Sequence, residues 1–191
     1  MSHYIDIHTH NFTSRHTELR AAGVHPWEAE NSTIDESIFQ GVQAIGEIGL
    51  DYVCNVARNS QEEIFREQLL IAQRLQLPVV LHCVRAFFPT LAILSKYQLR
   101  GVIFHGFIGS KEQAAEAVKR GYYLSFGEAT KHSPKTVEAL RSIPLENLFL
   151  ETDERPTPIE EIYSMAAEIR AESLDAIING ITDNYNRLFQ L

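Results

Sequence analysis

The 191-residue sequence has no apolar run able to cross a bilayer; the longest, such as 78–81, fall far short of the roughly twenty residues a spanning helix needs. It also shows no basic-then-apolar start, so no secretory signal is expected and a cytoplasmic protein fits best. Cysteine is scarce. Cys54 and Cys83 stand far apart without CxxC spacing, which argues against a disulfide framework and a thiolate zinc site. Clusters of Lys and Arg are missing too, and the formal charge of −8 argues against an extended phosphate-binding surface. Two divalent cations would nonetheless bring about four positive charges to one spot and set the field there. Low-complexity tracts and short repeats are absent. What is present is ordinary for a globular chain. Apolar residues make up 45%, enough for a core, and the length suggests a single domain over residues 1–191.

Short apolar runs alternate with segments of helical period. Strands are expected near 4–8, 20–25, 42–46, 78–82, 101–105, 122–126 and 147–150. Several, including Val79-Val80-Leu81 and Val102-Ile103-Phe104, are apolar on both faces, as parallel strands covered by helices are. Helices are expected over 60–76, with Ser60 and Glu63 spaced as a capping box, and over 111–120, 133–142, 159–170 and 174–188. A further helix over 86–97 must hold Pro89 in its first turn. The alternation indicates an α/β fold with a parallel sheet.

Polar residues sit at telling positions. Five of the seven expected strands run into a His or an acid: His8 and His10, Glu47, His82, His105, and Asp153. In a parallel barrel all C-terminal strand ends lie on one face, so such residues converge there. In an open sheet they would line a crevice instead. Convergence therefore favours a TIM-like (β/α) barrel. An HxH pair arises easily by chance in a chain with eight histidines. Four histidines and two carboxylates at the same strand ends differ, because burying them together is costly without a cation.

These motifs resemble the TatD family of deoxyribonuclease-like metal-dependent hydrolases, amidohydrolase-type TIM barrels. The resemblance is carried by Ile5-Asp6-Ile7-His8-Thr9-His10, Gly23-Val24-His25-Pro26, Ala44 to Tyr52, Leu77 to Arg85, His105-Gly106-Phe107-Ile108-Gly109 and Leu150-Glu151-Thr152-Asp153. It implies that His8, His10 and Asp153 hold one ion, that His82 and His105 hold another, and that Glu47 bridges the two. Asp153 would also act as general base in phosphodiester hydrolysis by a metal-bound hydroxide. A nitrogen and oxygen donor set suits Zn²⁺, Mn²⁺ or Mg²⁺. The resemblance places His25 at the pocket rim against substrate; a structural hydrogen bond is the alternative. Arg85 is a candidate phosphate contact, or else an ion-pair partner of Asp51. Asp51 and Glu151 fit as partners that fix the histidine tautomers. Cys83 should point outward and be inert, and His3, His16 and His132 read as ordinary surface or loop residues.

The chain departs from the family between His10 and Gly23, where only twelve residues replace a helix, a strand and another helix. The second βα unit is therefore expected to be missing, leaving seven strands and an edge beside the first. A loop, the C-terminal helix or a second subunit would cover that edge. Substrates in view are nucleic acid or a small phosphoester, with a small amide or lactone as the alternative and metal binding without turnover as a third reading. The lack of stacking aromatics with basic neighbours counts mildly against nucleic acid.

Overall fold

A computed structural model describes residues 4–189. Its strands are β1 (Ile5–Asp6), β2 (Thr17–Glu18), β3 (Ala21–Ala22), β4 (Ala44–Asp51), β5 (Val79–Val84), β6 (Val102–Phe104), β7 (Tyr123–Phe126) and β8 (Leu148–Leu150). The helices are α1 (Arg58–Leu75), α2 (Phe87–Leu94), α3 (Lys111–Lys119), α4 (Pro134–Ser142), α5 (Ile159–Arg170) and α6 (Leu174–Phe189). The chain divides into two units, Met1–Leu19 with His105–Leu191, and Arg20–Phe104. No helix among the described residues is long and apolar enough to cross a membrane.

In the Arg20–Phe104 unit, β3, β4, β5 and β6 pair side by side in parallel. Their apolar runs are buried on both faces: Ile45, Val79, Val80, Leu81 and Ile103 are fully buried. Helix α1 turns Phe65, Leu69 and Ala72 inward, its apolar stripe recurring at helical spacing. Buried Gln68 extends the work of the strands, accepting from the Val24 amide at 2.6 Å and donating to the Val24 carbonyl at 3.0 Å. The β4–β5 register shifts between Ile45 and Ile48, an irregularity of the kind that re-aims a side chain, here Glu47. Gly49 then sits opposite His82; a Cβ there would meet the His82 carbonyl oxygen at 2.1 Å, so only glycine lets the two strands close at this point.

In the other unit, β1 pairs with β2, and β7 with β8, all in parallel. The Ile7 amide donates to the Leu150 carbonyl at 3.1 Å, joining the chain just after β1 to β8. Two buried polar side chains lock helices onto these strands. Asn184 of α6 donates to the carbonyls of Leu145 and Leu148, each at 2.8 Å. Tyr163 of α5 accepts from the Ile5 amide at 3.1 Å and donates to the Ile5 carbonyl at 2.9 Å. Tyr163→Phe is expected to destabilise the fold by about 1–3 kcal/mol, because it strands a buried N–H. Urea unfolding should show a lower midpoint with an unchanged slope, and an unmoved midpoint would refute it.

No helix lies between β1 and β3, as the short connection implies, but the described residues form eight strands rather than the expected seven: the second strand survives as the two-residue β2, and what is missing around it is helix. Other details also differ from what the sequence implies. Thr17–Glu18 pairs with β1 despite its polar pattern, since the Thr17 amide donates to the Tyr4 carbonyl and the Leu19 amide to that of Asp6, both at 3.1 Å. Helix α1 begins at Arg58, so Ser60 and Glu63 lie inside it and form no capping box. The amide of Ala57, which caps α1, donates instead to Glu30 Oε1 at 2.9 Å. A capping box does occur at Ser110 and Gln113, opening α3.

Candidate metal centre

In the unit containing both ends of the chain, β1 and β8 deliver their donors through adjoining backbone. The Asp153 amide donates to the His8 carbonyl at 3.0 Å and the His10 amide to the Asp153 carbonyl at 3.1 Å. This alternation puts both imidazoles on the side of the Asp153 carboxylate, as two-residue spacing on an extended strand requires. His8 Nε2 and His10 Nε2 lie 3.7 and 3.6 Å from Asp153 Oδ1. Asp153 adopts a left-handed conformation, φ 56°, which Asp tolerates better than most residues. Such outliers concentrate where the surrounding structure holds a side chain for function.

His105 belongs to the same group, its ring centroid 4.3 Å from that of His8. Behind it, Glu151 Oε1 lies 3.2 Å from His105 Nδ1 and accepts from the Gly106 amide at 2.7 Å. Complete burial pushes the Glu151 carboxyl up, but the imidazoles of His105 and His8 outweigh burial and hold it below the usual range. Asp6 supports the segment from below. Its oxygens accept from the Thr152 amide at 3.1 Å and from the Thr152 hydroxyl at 2.6 Å. Burial drives the Asp6 carboxyl up to about 7 against those bonds.

The Arg20–Phe104 unit carries the second group. Glu47 Oε1 lies 2.7 Å from His82 Nδ1 and 3.4 Å from His25 Nε2. His82 turns its other nitrogen to Asp51 Oδ2 at 3.2 Å, the carboxylate–imidazole pairing that fixes a ligand's tautomer. Trp27, which the sequence reading passed over, donates its indole N–H to the same Asp51 oxygen at 2.7 Å. Partial burial raises the Asp51 carboxyl, yet bonds from Trp27, the Val53 amide and His82 bring it below its ordinary value. The only early sign of Trp27 was its place two residues after His25, and its partner lies 24 positions away.

His25 itself uses both nitrogens, since Nδ1 accepts from the Trp27 amide at 3.3 Å and so opens the short turn Pro26–Glu28. Arg85 is exposed in a left-handed conformation, φ 54°, and forms no ion pair with Asp51 or with any other described residue. Cys83 points away from the donors to Thr90 of α2, at 3.6 Å, and burial pushes its thiol up to about 11, leaving it inert. His16 pairs with Glu160 at 3.1 Å and His132 is exposed, ordinary positions as expected. His3 lies outside the described residues.

The donors suit a divalent cation. Within each of the sets His8, His10, Asp153 and His25, Glu47, His82, one atom per residue lies within 4.8 Å of the others. Mixed imidazole and carboxylate donors without sulfur match Zn²⁺, Mn²⁺ or Mg²⁺. A family profile described as "TatD related DNase" matches residues 14–190. The chain belongs to the TatD family. It is 31% identical over 196 residues to the uncharacterized metal-dependent hydrolase YabD of Bacillus subtilis, covering 90% of this chain and 77% of that one. With the 3′-5′ ssDNA/RNA exonuclease TatD of Citrobacter koseri the identity is 36% over 145 residues, 69% of this chain and 56% of the other. Among crystal structures, the TatD homologue YjjV of Escherichia coli superposes with a TM-score of 0.82 at 28% identity, covering 92% of this chain and 78% of that one. The expected α/β, TIM-barrel-like fold class of TatD homologues therefore holds. This TatD-family chain spans between 56% and 77% of the length of eight curated relatives that it matches.

Proposed function

We propose that this chain, a metal-dependent hydrolase of the TatD family, cleaves phosphodiester bonds of nucleic acid with two divalent ions. His8, His10 and Asp153 would hold one ion; Glu47, His82 and His105 are the further ligands that the family resemblance assigns, and Glu47 is the residue it would have the two ions share. The observation carrying the reading is the set of two strand-end imidazoles facing Asp153 Oδ1 at 3.7 and 3.6 Å. When bound, such ions lower the pKa of a water toward neutrality and stabilise charge on a phosphoryl oxygen. Asp153 accepts the proton of the attacking water at its carboxylate, which its backbone holds toward His8 and His10. Asp51 and Glu151 fix the tautomer and ring orientation of His82 and His105, so that the opposite ring nitrogen is the one that would face an ion. His25 and Arg85 contact substrate, the guanidinium of Arg85 matching a phosphate with its planar fork. The cytoplasmic placement rests on the sequence alone.

The test uses protein stripped with EDTA and then restored with Mn²⁺ or Mg²⁺. Single-stranded DNA and bis-(p-nitrophenyl) phosphate should both be cleaved only after metal is restored. Failure on both, with lactones or amides turned over instead, overturns the phosphodiester reading. Binding of two metal equivalents with no turnover of any substrate overturns the enzyme reading.

A further inference from the structure

Trp27 is the chain's single tryptophan, and it is held firmly while remaining 58% exposed. Its indole N–H is fixed to Asp51, and its ring meets those of His25 and His82 edge-on, with centroids 4.6 and 5.9 Å away. These contacts fix the orientation of the indole, and more than half of the residue stays open to solvent. An ordinary exposed aromatic is free to change rotamer. This one has already lost that freedom, so a planar partner would bind without the usual ordering cost.

The surroundings suit a nucleotide. Trp27 follows β3 and Arg85 follows β5, so both stand at the C-terminal edge of the same parallel sheet as Glu47 and His82. Phe88, 66% exposed, sits in the first turn of α2 immediately beyond. A fixed aromatic surface together with an arginine that has no ion-pair partner among the described residues is the pairing by which proteins hold single-stranded nucleic acid. A small phosphoester would use the arginine alone, and a base inside a duplex has its faces already covered.

We infer that Trp27 is a nucleobase-stacking residue that directs single-stranded nucleic acid to the metal centre. This rests on the phosphodiesterase reading above and adds to it the requirement for a base. The single tryptophan makes the test direct, since its fluorescence reports one position. EDTA-stripped full-length protein is titrated with a short oligothymidylate and with an abasic deoxyribose-phosphate oligomer of equal length, binding being followed separately by anisotropy of labelled oligomers.

The oligothymidylate should quench Trp27 emission on binding, and the abasic oligomer should not. Trp27→Ala should weaken oligothymidylate binding about tenfold or more while changing abasic binding less than about twofold, and Trp27→Phe should restore most of the loss. Equal quenching by both oligomers, or unchanged affinity in Trp27→Ala, overturns the stacking role while leaving the hydrolase reading intact. Absence of any oligothymidylate binding, together with metal-dependent cleavage of bis-(p-nitrophenyl) phosphate, overturns the stacking role and moves the substrate to small phosphoesters.

Discussion

Asp153→Asn is expected to lower kcat by about 10²–10⁴-fold, the range that removal of a positioned general base covers, with little effect on KM. Asparagine is the informative replacement. It keeps the volume and, like aspartate, tolerates the left-handed conformation that Asp153 adopts at φ 56°. The backbone bonds that knit this residue to His8 and His10 do not involve its side chain, so they persist. What is lost is the charge facing the two imidazoles and the capacity to accept a proton. Steady-state kinetics on single-stranded DNA, with thermal unfolding as the control, decides the matter. A kcat within threefold of the parent would remove Asp153 from the role of base. Alanine would confuse the answer, because it adds backbone strain to the loss of the carboxylate.

Glu47→Gln should reduce activity by about 10²-fold or more and release one of the two metal equivalents proposed for the site. Glu47 stands 2.7 Å from His82 Nδ1 and 3.4 Å from His25 Nε2. A bridging carboxylate places one negative charge where two cations repel each other; the amide keeps the shape and drops that compensation. Elemental analysis after exhaustive dialysis should fall from about two equivalents to about one. Full activity with both equivalents retained would overturn the bridging assignment. Content falling to zero would show instead that Glu47 is needed to form either site.

Much of this was readable in the sequence because the informative residues sit at strand ends. Apolar runs such as Val79-Val80-Leu81 announce parallel strands, and the polar residue that stops each run is where chemistry is placed. Helix α5 falls on its expected bounds because its apolar period is clean and prolines precede it. The strand Thr17–Glu18 was hidden, since two polar residues can pair through backbone alone. The start of α1 was misplaced because its N-terminal amide is satisfied from Glu30, far outside any local window. Trp27 was missed for a related reason. No lysine or arginine neighbours Trp27 in the sequence, whereas the fold sets it beside His82, with ring centroids 5.9 Å apart.

The short connection after His10 has a wider meaning. Its turn is self-contained, the amides of Thr13 and Ser14 donating to the Glu18 carboxylate at 2.9–3.0 Å. The backbone of His8 and His10 just before it is held from the other side, by the backbone of Asp153. Doubling the length of a flexible loop costs only about 0.6 kcal/mol. Extra flexible chain inserted at this turn would therefore cost little stability, and the backbone pairing of His8 and His10 with Asp153 would stay in place.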